Sequence, residues 1–375
     1  MNKKTMLQPP PNMGIVLSLL SWLYGIGMRV YNQLFDWGIL KSKKYPLPVI
    51  CVGNITVGGT GKTPHIEYLV QLLSVKYRVA VLSRGYKRKS KDLKFVETTS
   101  LVEDVGDEPL QIKRKFPDTM VVVDKNRNNA IEKMLAMGED TRPEVILLDD
   151  GFQHRSVSPS LSIVLTDYNR PIYRDELLPA GTLREPAENV HRASMVIVTK
   201  CNKQIQPIDA RIITNDLDLF AYQPLFFTNF EYGDLEPVFP DLGLEQIPLD
   251  NLLKKQVLIV AGIASPQPLV EKLEKKTYNL HTLFFPDHHN FLENDIEDIK
   301  RQIDAIGSDE LVIITTEKDA VRLRDSQWVD DNLKQFLYYI PIMINFVHKS
   351  DKISFNKKIY NHVRNHQTDS RLSQR

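Results

Sequence analysis

The stretch Pro48-Val-Ile-Cys-Val-Gly-Asn-Ile-Thr-Val-Gly-Gly-Thr-Gly-Lys-Thr-Pro-His-Ile-Glu67 decides the fold. The apolar run from Val49 predicts a buried strand, the glycines a turn, and Gly61-Lys62-Thr63 the start of a helix. A strand, glycine loop and helix in that order cradle phosphate: backbone N–H groups turn inward and the helix start adds its positive dipole end. The lining residues are Thr56, Val57, Gly58, Gly59, Thr60, Gly61, Lys62 and Thr63. Lys62 would reach the outer phosphates and the Thr63 hydroxyl would hold Mg²⁺. The eight-residue P-loop pattern begins with Gly, and here that position is Thr56. Gly58 and Gly59 supply the flexibility, so the loop is a variant P-loop.

Outward from this loop, strands alternate with helices. Strands are predicted at Val49–Val52, Arg78–Leu82, Thr119–Val123, Val145–Leu148, Ser162–Leu165 and Met195–Val198, with helices at Pro64–Leu73, Pro109–Lys115 and Asn126–Met137. That order predicts an α/β fold, a P-loop NTPase-like, mostly parallel sheet with helices on both faces. Aromatics and prolines crowd residues 221–255, which read as a linker with short strands. A second alternating block over residues 256–350 predicts a smaller C-terminal α/β lobe. Its strands fall at Gln256–Val260, Leu280–Phe285, Leu311–Thr315 and Phe336–Ile340, its helices at Pro266–Glu274, Glu293–Ile306 and Lys318–Arg324. The division is then 1–44 leader and helix, 45–220 P-loop core, 221–255 linker, 256–350 second lobe, and 351–375 a polar tail that frays at its end.

Paired acids end the strand at Asp149-Asp150, where a P-loop fold places its Mg²⁺ carboxylates. Ser83-Arg84-Gly85-Tyr86-Lys87-Arg88 puts cations at a strand's carboxyl end, which suits a phosphorylated or acidic substrate or a solvated loop. Asp107 and Glu108 open a helix, as caps or, in the sharper reading, with a catalytic base among them. Phe285-Pro-Asp-His288-His289 ends a strand of the second lobe; adjacent histidines face one ion poorly, and a histidine paired to a carboxylate of the other lobe fits better. Arg155 is left open between a phosphate and an acid.

Ile15–Trp37 is strongly apolar, yet Ser18, Ser21, Gly25, Arg29, Asn32 and Asp36 fall three or four residues apart and form one narrow stripe on a helix. Leu17, Leu20, Trp22, Leu23, Tyr24, Ile26, Tyr31, Leu34 and Phe35 make the wide opposite face. This is the pattern of an amphipathic helix lying in a membrane interface rather than crossing it, or of a helix packed on its own domain's core. Lys41, Lys43 and Lys44 follow and would meet anionic headgroups. No small-residue cleavage site marks a secretory signal.

With 375 residues, 42% hydrophobic and 25% charged, the chain suits a folded protein of about two domains. A net charge of +1 gives no electrostatic footprint for nucleic acid. Cys51 and Cys201 form neither a zinc motif nor a disulfide framework.

The motifs together resemble the tetraacyldisaccharide 4′-kinase family, the lipid A 4′-kinases of Gram-negative bacteria. The matching segments are Val52–Pro64, Ser83–Tyr86, Val105–Pro109, Leu148–His154, Leu178-Pro-Ala-Gly-Thr-Leu-Arg-Glu-Pro186, Phe285–His288 and Thr316-Glu-Lys-Asp-Ala320, in family order across about Leu7 to Leu323. The resemblance implies an ATP- and Mg²⁺-dependent kinase, peripheral to the cytoplasmic face of the bacterial inner membrane. It would phosphorylate the 4′-hydroxyl of an acylated glucosamine disaccharide 1-phosphate, with no obligatory protein partner. It assigns phosphate and Mg²⁺ contacts to Lys62 and Thr63, Mg²⁺ to Asp149 and Asp150, the base role to Asp107, and its partner across a lobe cleft to His288. Arg84, a candidate for the substrate's phosphate, stands with Glu108, Arg184 and Glu185 as substrate residues. The alternatives are a membrane-associated regulatory P-loop ATPase, against which Val57 replaces the extra lysine of that class, a soluble small-molecule kinase, and a GTP-dependent insertion factor.

Overall fold

The computed structural model describes residues 11–86, 88–308 and 310–372. Lys3, Lys4 and Lys87 lie outside the described residues. The strands are β1 (Val49–Asn54), β2 (Val79–Ser83), β3 (Lys94–Phe95), β4 (Met120–Val123), β5 (Val145–Asp149), β6 (Leu161–Asp167), β7 (Met195–Thr199), β8 (Leu225–Tyr232), β9 (Glu236–Pro237), β10 (Gln256–Ala261), β11 (Asn279–Phe284), β12 (Leu311–Thr316), β13 (Leu337–Ile340) and β14 (Ile342–Phe346). The helices are α1 (Pro11–Asp36), α2 (Lys62–Ser74), α3 (Val102–Val105), α4 (Asp107–Lys115), α5 (Arg127–Leu135), α6 (Pro207–Asp216), α7 (Gln267–Leu273), α8 (Glu293–Ile306), α9 (Glu317–Asp325), α10 (Asp331–Lys334) and α11 (Lys349–Leu372).

Two compact units divide the chain. One takes the residues up to Val79, Ile131–Asn229 and those from Phe346 on; the other takes Ala80–Ala130 and Phe230–Asn345. Both are discontinuous, unlike the consecutive ranges read from the sequence. The segment Ala80–Ala130, expected in the P-loop core, belongs with Phe230–Asn345.

In the first unit β8, β7, β6, β1 and β5 lie side by side in that order and pair in parallel. Both faces are covered, so β1 and β5 are buried along their whole length and read as continuous apolar runs rather than alternating ones. The register sets Val52 beside Asp149, which brings the β1 loop and the β5 acids to the same sheet end. Two expectations are corrected here. The expected linker contains β8, a core strand with Phe226 and Phe227 buried. The expected polar tail forms α11, whose Phe355, Ile359 and Val363 are buried at four-residue spacing, while residues 373–375, where fraying is expected, lie outside the described residues. Tyr360 donates to the Leu72 carbonyl at 2.6 Å and Tyr68 to Asn356 at 2.7 Å, tying α11 to α2.

Helix α1 is amphipathic in the inverted sense. Ser21, Gly25 and Asn32 of the polar stripe face the protein. Trp22 is 60% exposed, and Leu19, Leu20, Leu23, Ile26, Val30 and Tyr31 are exposed too. Arg155 is spoken for by this helix, donating to the Asn32 carbonyl at 2.8 Å and to Asp36 at 2.6 Å.

In the second unit β2 and β4 run parallel, with β3 antiparallel on β4. A five-stranded sheet, β11-β10-β12-β13-β9, is parallel but for β9. Apolar clusters fill both its faces, around Ile259 and Ile314 on one and Leu258 and Ile313 on the other.

Candidate active site

The candidate nucleotide cradle, Thr56–Thr63, lies in the first unit. Gly58 and Gly61 adopt left-handed backbone, with φ of 107° and 85°. A side chain there would be strained, so these two positions require glycine. Thr56 is not among the left-handed residues; it is buried and bridges Leu183 in extended pairing, which explains why the first loop position tolerates a β-branched residue. Asn54 braces the loop from inside, its amide donating to Thr60 Oγ1 at 2.9 Å. Thr199 Oγ1 donates to the Thr60 carbonyl at 2.9 Å. His65 Nδ1 lies 2.8 Å from the Gly61 carbonyl and therefore donates to it. Burial pushes the His65 ring down to about 4 against that hydrogen bond, so the imidazole is neutral at neutral pH and adds no charge beside the phosphate loop.

Lys62 and Thr63 stand in the first turn of α2. Asp149 is the last residue of β5 and is buried. Asp150, just past the strand, takes a left-handed φ of 49°. It accepts ion pairs from Lys62 at 3.6 Å and Arg184 at 3.2 Å. The donors Thr63, Asp149 and Asp150 are all oxygens, the set that suits a hard cation such as Mg²⁺. Among the described residues no group of three or more His, Cys, Asp and Glu would hold a metal unaided.

Arg184 and Glu185 part company. Arg184 joins the cradle through Asp150. Glu185 is 1% exposed; Arg192 forms an ion pair with it and Asn189 donates to it at 2.6 Å. Arg192 also lies over the Phe152 ring, 4.5 Å from its centroid. The Glu185 carboxylate is occupied as a buried counter-ion.

The second unit holds an ionic cluster around Asp107. Gly85 and Gly106, with φ of 66° and 92°, allow the turns after β2 and before α4 to touch; a Cβ on Gly85 would sit 2.8 Å from the Val105 carbonyl. Asp107 opens α4 and its Oδ1 accepts the Glu108 N–H at 2.9 Å. Its Oδ2 accepts from His288 Nδ1 at 3.0 Å and from Arg322. Arg322 Nη2 also stands 3.0 Å from His288 Nδ1; both atoms carry protons, so the carboxylate is the acceptor they share. Arg322 Nη1 reaches Asp319 at 2.9 Å, and Lys318 pairs with Glu108. Burial alone would raise the Asp107 carboxyl. The His288 hydrogen bond and the charges of Lys318 and Arg322 outweigh it and hold the group well below the ordinary carboxylate range. Burial also raises Asp319, against the hydrogen bonds from Gly262 and Thr316 and the charges of Arg322 and Lys318.

His288 has a left-handed φ of 59°, fixed where its N–H donates to the Gly262 carbonyl at 3.1 Å. The Gly262 N–H donates to Asp319 at 2.9 Å, so the Gly262 turn braces both His288 and Asp319. His289 turns to Asp295 at 2.8 Å and stacks on Phe285. The two histidines thus serve different carboxylates, and only His288 belongs to Asp107. The expectation that this pair spans two lobes is corrected: both residues belong to one compact unit. Arg84 is exposed on the turn after β2, and the Tyr86 ring lies 5.4 Å from that of His288. Sequence reading missed Arg322 and Arg192, and gave Asp319, within the Thr316–Ala320 motif, no role. The signal for Arg322 was its place one helical turn beyond Asp319.

A family model for tetraacyldisaccharide-1-P 4′-kinase matches residues 13–364. The tetraacyldisaccharide 4′-kinase of Parabacteroides distasonis is 49% identical over 348 residues, covering 93% of this chain and 94% of that one. That of Bacteroides thetaiotaomicron is 47% identical over 362 residues, with 95% of each chain covered. A crystal structure of LpxK from Aquifex aeolicus in complex with ATP is 30% identical and superposes with a TM-score of 0.71, covering 94% of this chain and 99% of that one. A family model over residues 13–364 and relatives 49% and 47% identical over almost the whole length show that the chain belongs to the tetraacyldisaccharide 4′-kinase family.

Proposed function

We propose that the two residue sets divide one reaction, ATP-dependent phosphorylation of the 4′-hydroxyl of tetraacyldisaccharide 1-phosphate in lipid A biosynthesis. The loop from Thr56 to Thr63 grips the triphosphate through backbone N–H groups, with Lys62 on the outer phosphates. Thr63, Asp149 and Asp150 would hold Mg²⁺, which would neutralise charge developing on the transferred group. Arg184, steered by Asp150, adds a further cation beside Lys62. Glu108, kept by Lys318, and Arg84, exposed on its turn, are left for the acylated disaccharide and its own phosphate.

The Asp107–His288 pair handles the acceptor's proton. An alcohol has a high pKa, so a base that removes its proton during transfer lowers the barrier. Asp107 is 5% exposed at its side chain and already accepts three hydrogen bonds, whereas the His288 ring is 20% exposed. With Nδ1–H committed to Asp107, Nε2 carries the lone pair. His288 therefore receives the proton, and Asp107 fixes its tautomer and stabilises the imidazolium. The single observation that carries this reading is the 3.0 Å Asp107–His288 contact inside a buried cationic surround. Incubation with ATP, Mg²⁺ and tetraacyldisaccharide 1-phosphate in detergent should give a lipid heavier by one phosphate in mass spectra. Equal ATP turnover with and without the disaccharide would defeat the kinase reading.

We also propose that α1 lies in the membrane interface and keeps the enzyme with its lipid. Gly14–Asp36 is long and apolar enough to cross a bilayer. Ser21, Gly25 and Asn32 of its polar stripe, however, are spent on protein contacts and its apolar face is exposed along one side, the arrangement of a helix lying flat. A fully buried large apolar side chain is worth about 1.5–3 kcal/mol, so two charges on that face outweigh much of the binding. Trp22→Glu with Leu23→Glu should cut cosedimentation with anionic liposomes at least tenfold, while detergent-solubilised substrate is still phosphorylated. Unchanged cosedimentation would assign the exposed face to something other than lipid.

A further inference from the structure

Between α1 and the phosphate loop runs one short strap, residues 175–184. It closes on itself: Leu183 N–H donates to the Glu176 carbonyl at 2.9 Å and Leu178 N–H to the Leu183 carbonyl at 2.9 Å, while Asp175 accepts the Thr182 N–H at 3.0 Å. One side of the strap is hydrogen-bonded to the cradle. Val57 N–H donates to the Thr182 carbonyl at 2.7 Å, Thr56 bridges Leu183, and Arg184 N–H donates to the Ile55 carbonyl at 2.7 Å. The other side is hydrogen-bonded to α1. Ser21 Oγ donates to the Leu177 carbonyl at 2.9 Å and accepts the Ala180 N–H at 2.9 Å. Tyr24 OH donates to the Arg184 carbonyl at 2.7 Å. Gly25 leaves room for the approach, since a Cβ there would sit 2.8 Å from Leu177 Cδ1.

Arg184 is the junction. Its N–H is held by the loop, its carbonyl by the helix, and its guanidinium reaches Asp150, the carboxylate that also faces Lys62. The strap has no regular secondary structure of its own to fix these positions. A helix otherwise needed only to meet lipid would not require a buried serine and a half-buried tyrosine hydroxyl aimed at one loop.

We propose that Ser21 and Tyr24 are positioning residues for the nucleotide: through the strap they set where Val57 and the Arg184 guanidinium stand around the triphosphate. The proposal rests on the reading of Thr56–Thr63 as the ATP cradle. It makes α1 part of the kinase machinery as well as its membrane contact. Loss of either side chain lets the strap shift and weakens ATP, while the Asp107–His288 chemistry keeps its parts.

The test is ATP affinity of the full chain by calorimetry, which needs no lipid product and so stands apart from failure of the kinase assay. Tyr24→Phe removes one oxygen and keeps the ring; Ser21→Ala removes the other anchor. Each should weaken ATP about three- to tenfold, the size of one or two lost hydrogen bonds passed on in part. KM for ATP should rise in step, with KM for the disaccharide unchanged. Trp22→Ala, on the exposed face of the same helix, is the control and should leave ATP affinity as it is. ATP affinity within twofold of wild type in both Tyr24→Phe and Ser21→Ala overturns the proposal, whatever happens to melting temperature. Equal weakening in Trp22→Ala overturns it as well, because that would mark a general loosening of α1.

Discussion

Asp107→Asn and His288→Asn should each lower kcat by about 10²–10⁴, the usual contribution of a positioned proton acceptor, with ATP affinity by calorimetry unchanged. The substitutions are chosen from the geometry. Asn at 107 keeps the volume beside Arg322 and an oxygen for one of its donors. Alanine there should cost as much in rate, but it also leaves the Arg322 guanidinium buried without its carboxylate and mixes a folding defect into the kinetics. Asn at 288 suits the left-handed backbone, which few side chains other than Asn, Asp and Gly adopt readily. Comparable losses at both positions fit a pair in which His288 receives the proton and Asp107 directs it. Near-normal turnover in His288→Asn, with a large loss in Asp107→Asn, would hand the proton to Asp107 itself. Near-normal turnover in both would remove the pair from the reaction.

The parts of this site that sequence reading reached are those made by consecutive residues. Gly58 to Thr63 dictates its own conformation, since left-handed backbone and a helix start are local properties. Asp149 and Asp150 follow from the strand they end. His288 was reached through its motif, not through its contacts. Arg322 was out of reach because its value depends on α4 and α9 approaching closely enough for one guanidinium to serve Asp107 and Asp319, whose positions differ by more than two hundred residues. Glu185 shows the converse. Beside Arg184 in one motif it invited the same role, yet neighbouring residues in a loop turn opposite ways, and it is buried under Arg192. The two fold corrections are of another kind. β8 was hidden by aromatics and prolines near its start. α11 was hidden by its lysines and asparagines, although Phe355, Ile359 and Val363 already carry the four-residue spacing of a packed face.

Arg322→Met should lower the stability of the second unit by about 3–5 kcal/mol, the cost of leaving buried carboxylates without their cation. Arg322 is 4% exposed at its side chain, and Asp107 and Asp319 are buried with it. The exposed Arg301–Asp298 pair has the same i,i+3 spacing as Arg322–Asp319 but stands in water, where such pairs give at most about 1 kcal/mol. Burial therefore decides the difference. The sign with pH follows from Asp107. Its carboxyl is held below the ordinary range in the folded chain, so its contribution is present above the unfolded carboxylate pKa and is lost as pH falls through the folded one. Without Arg322 that depression shrinks and Asp319, already raised by burial, rises further. The deficit of Arg322→Met against wild type should then be largest at neutral pH and should narrow on acidification, as the stranded carboxylates take up protons. Urea unfolding of both proteins at pH 7.5 and near pH 4.5 measures it. A deficit below 1 kcal/mol, or one of equal size at both pH values, would mean that the guanidinium adds little to what the His288 hydrogen bond and Lys318 already do to keep Asp107 charged. Arg322→Lys separates charge from shape: an ammonium keeps the charge but lacks the planar fork that reaches two carboxylates, so it should recover part of the stability and less of the turnover.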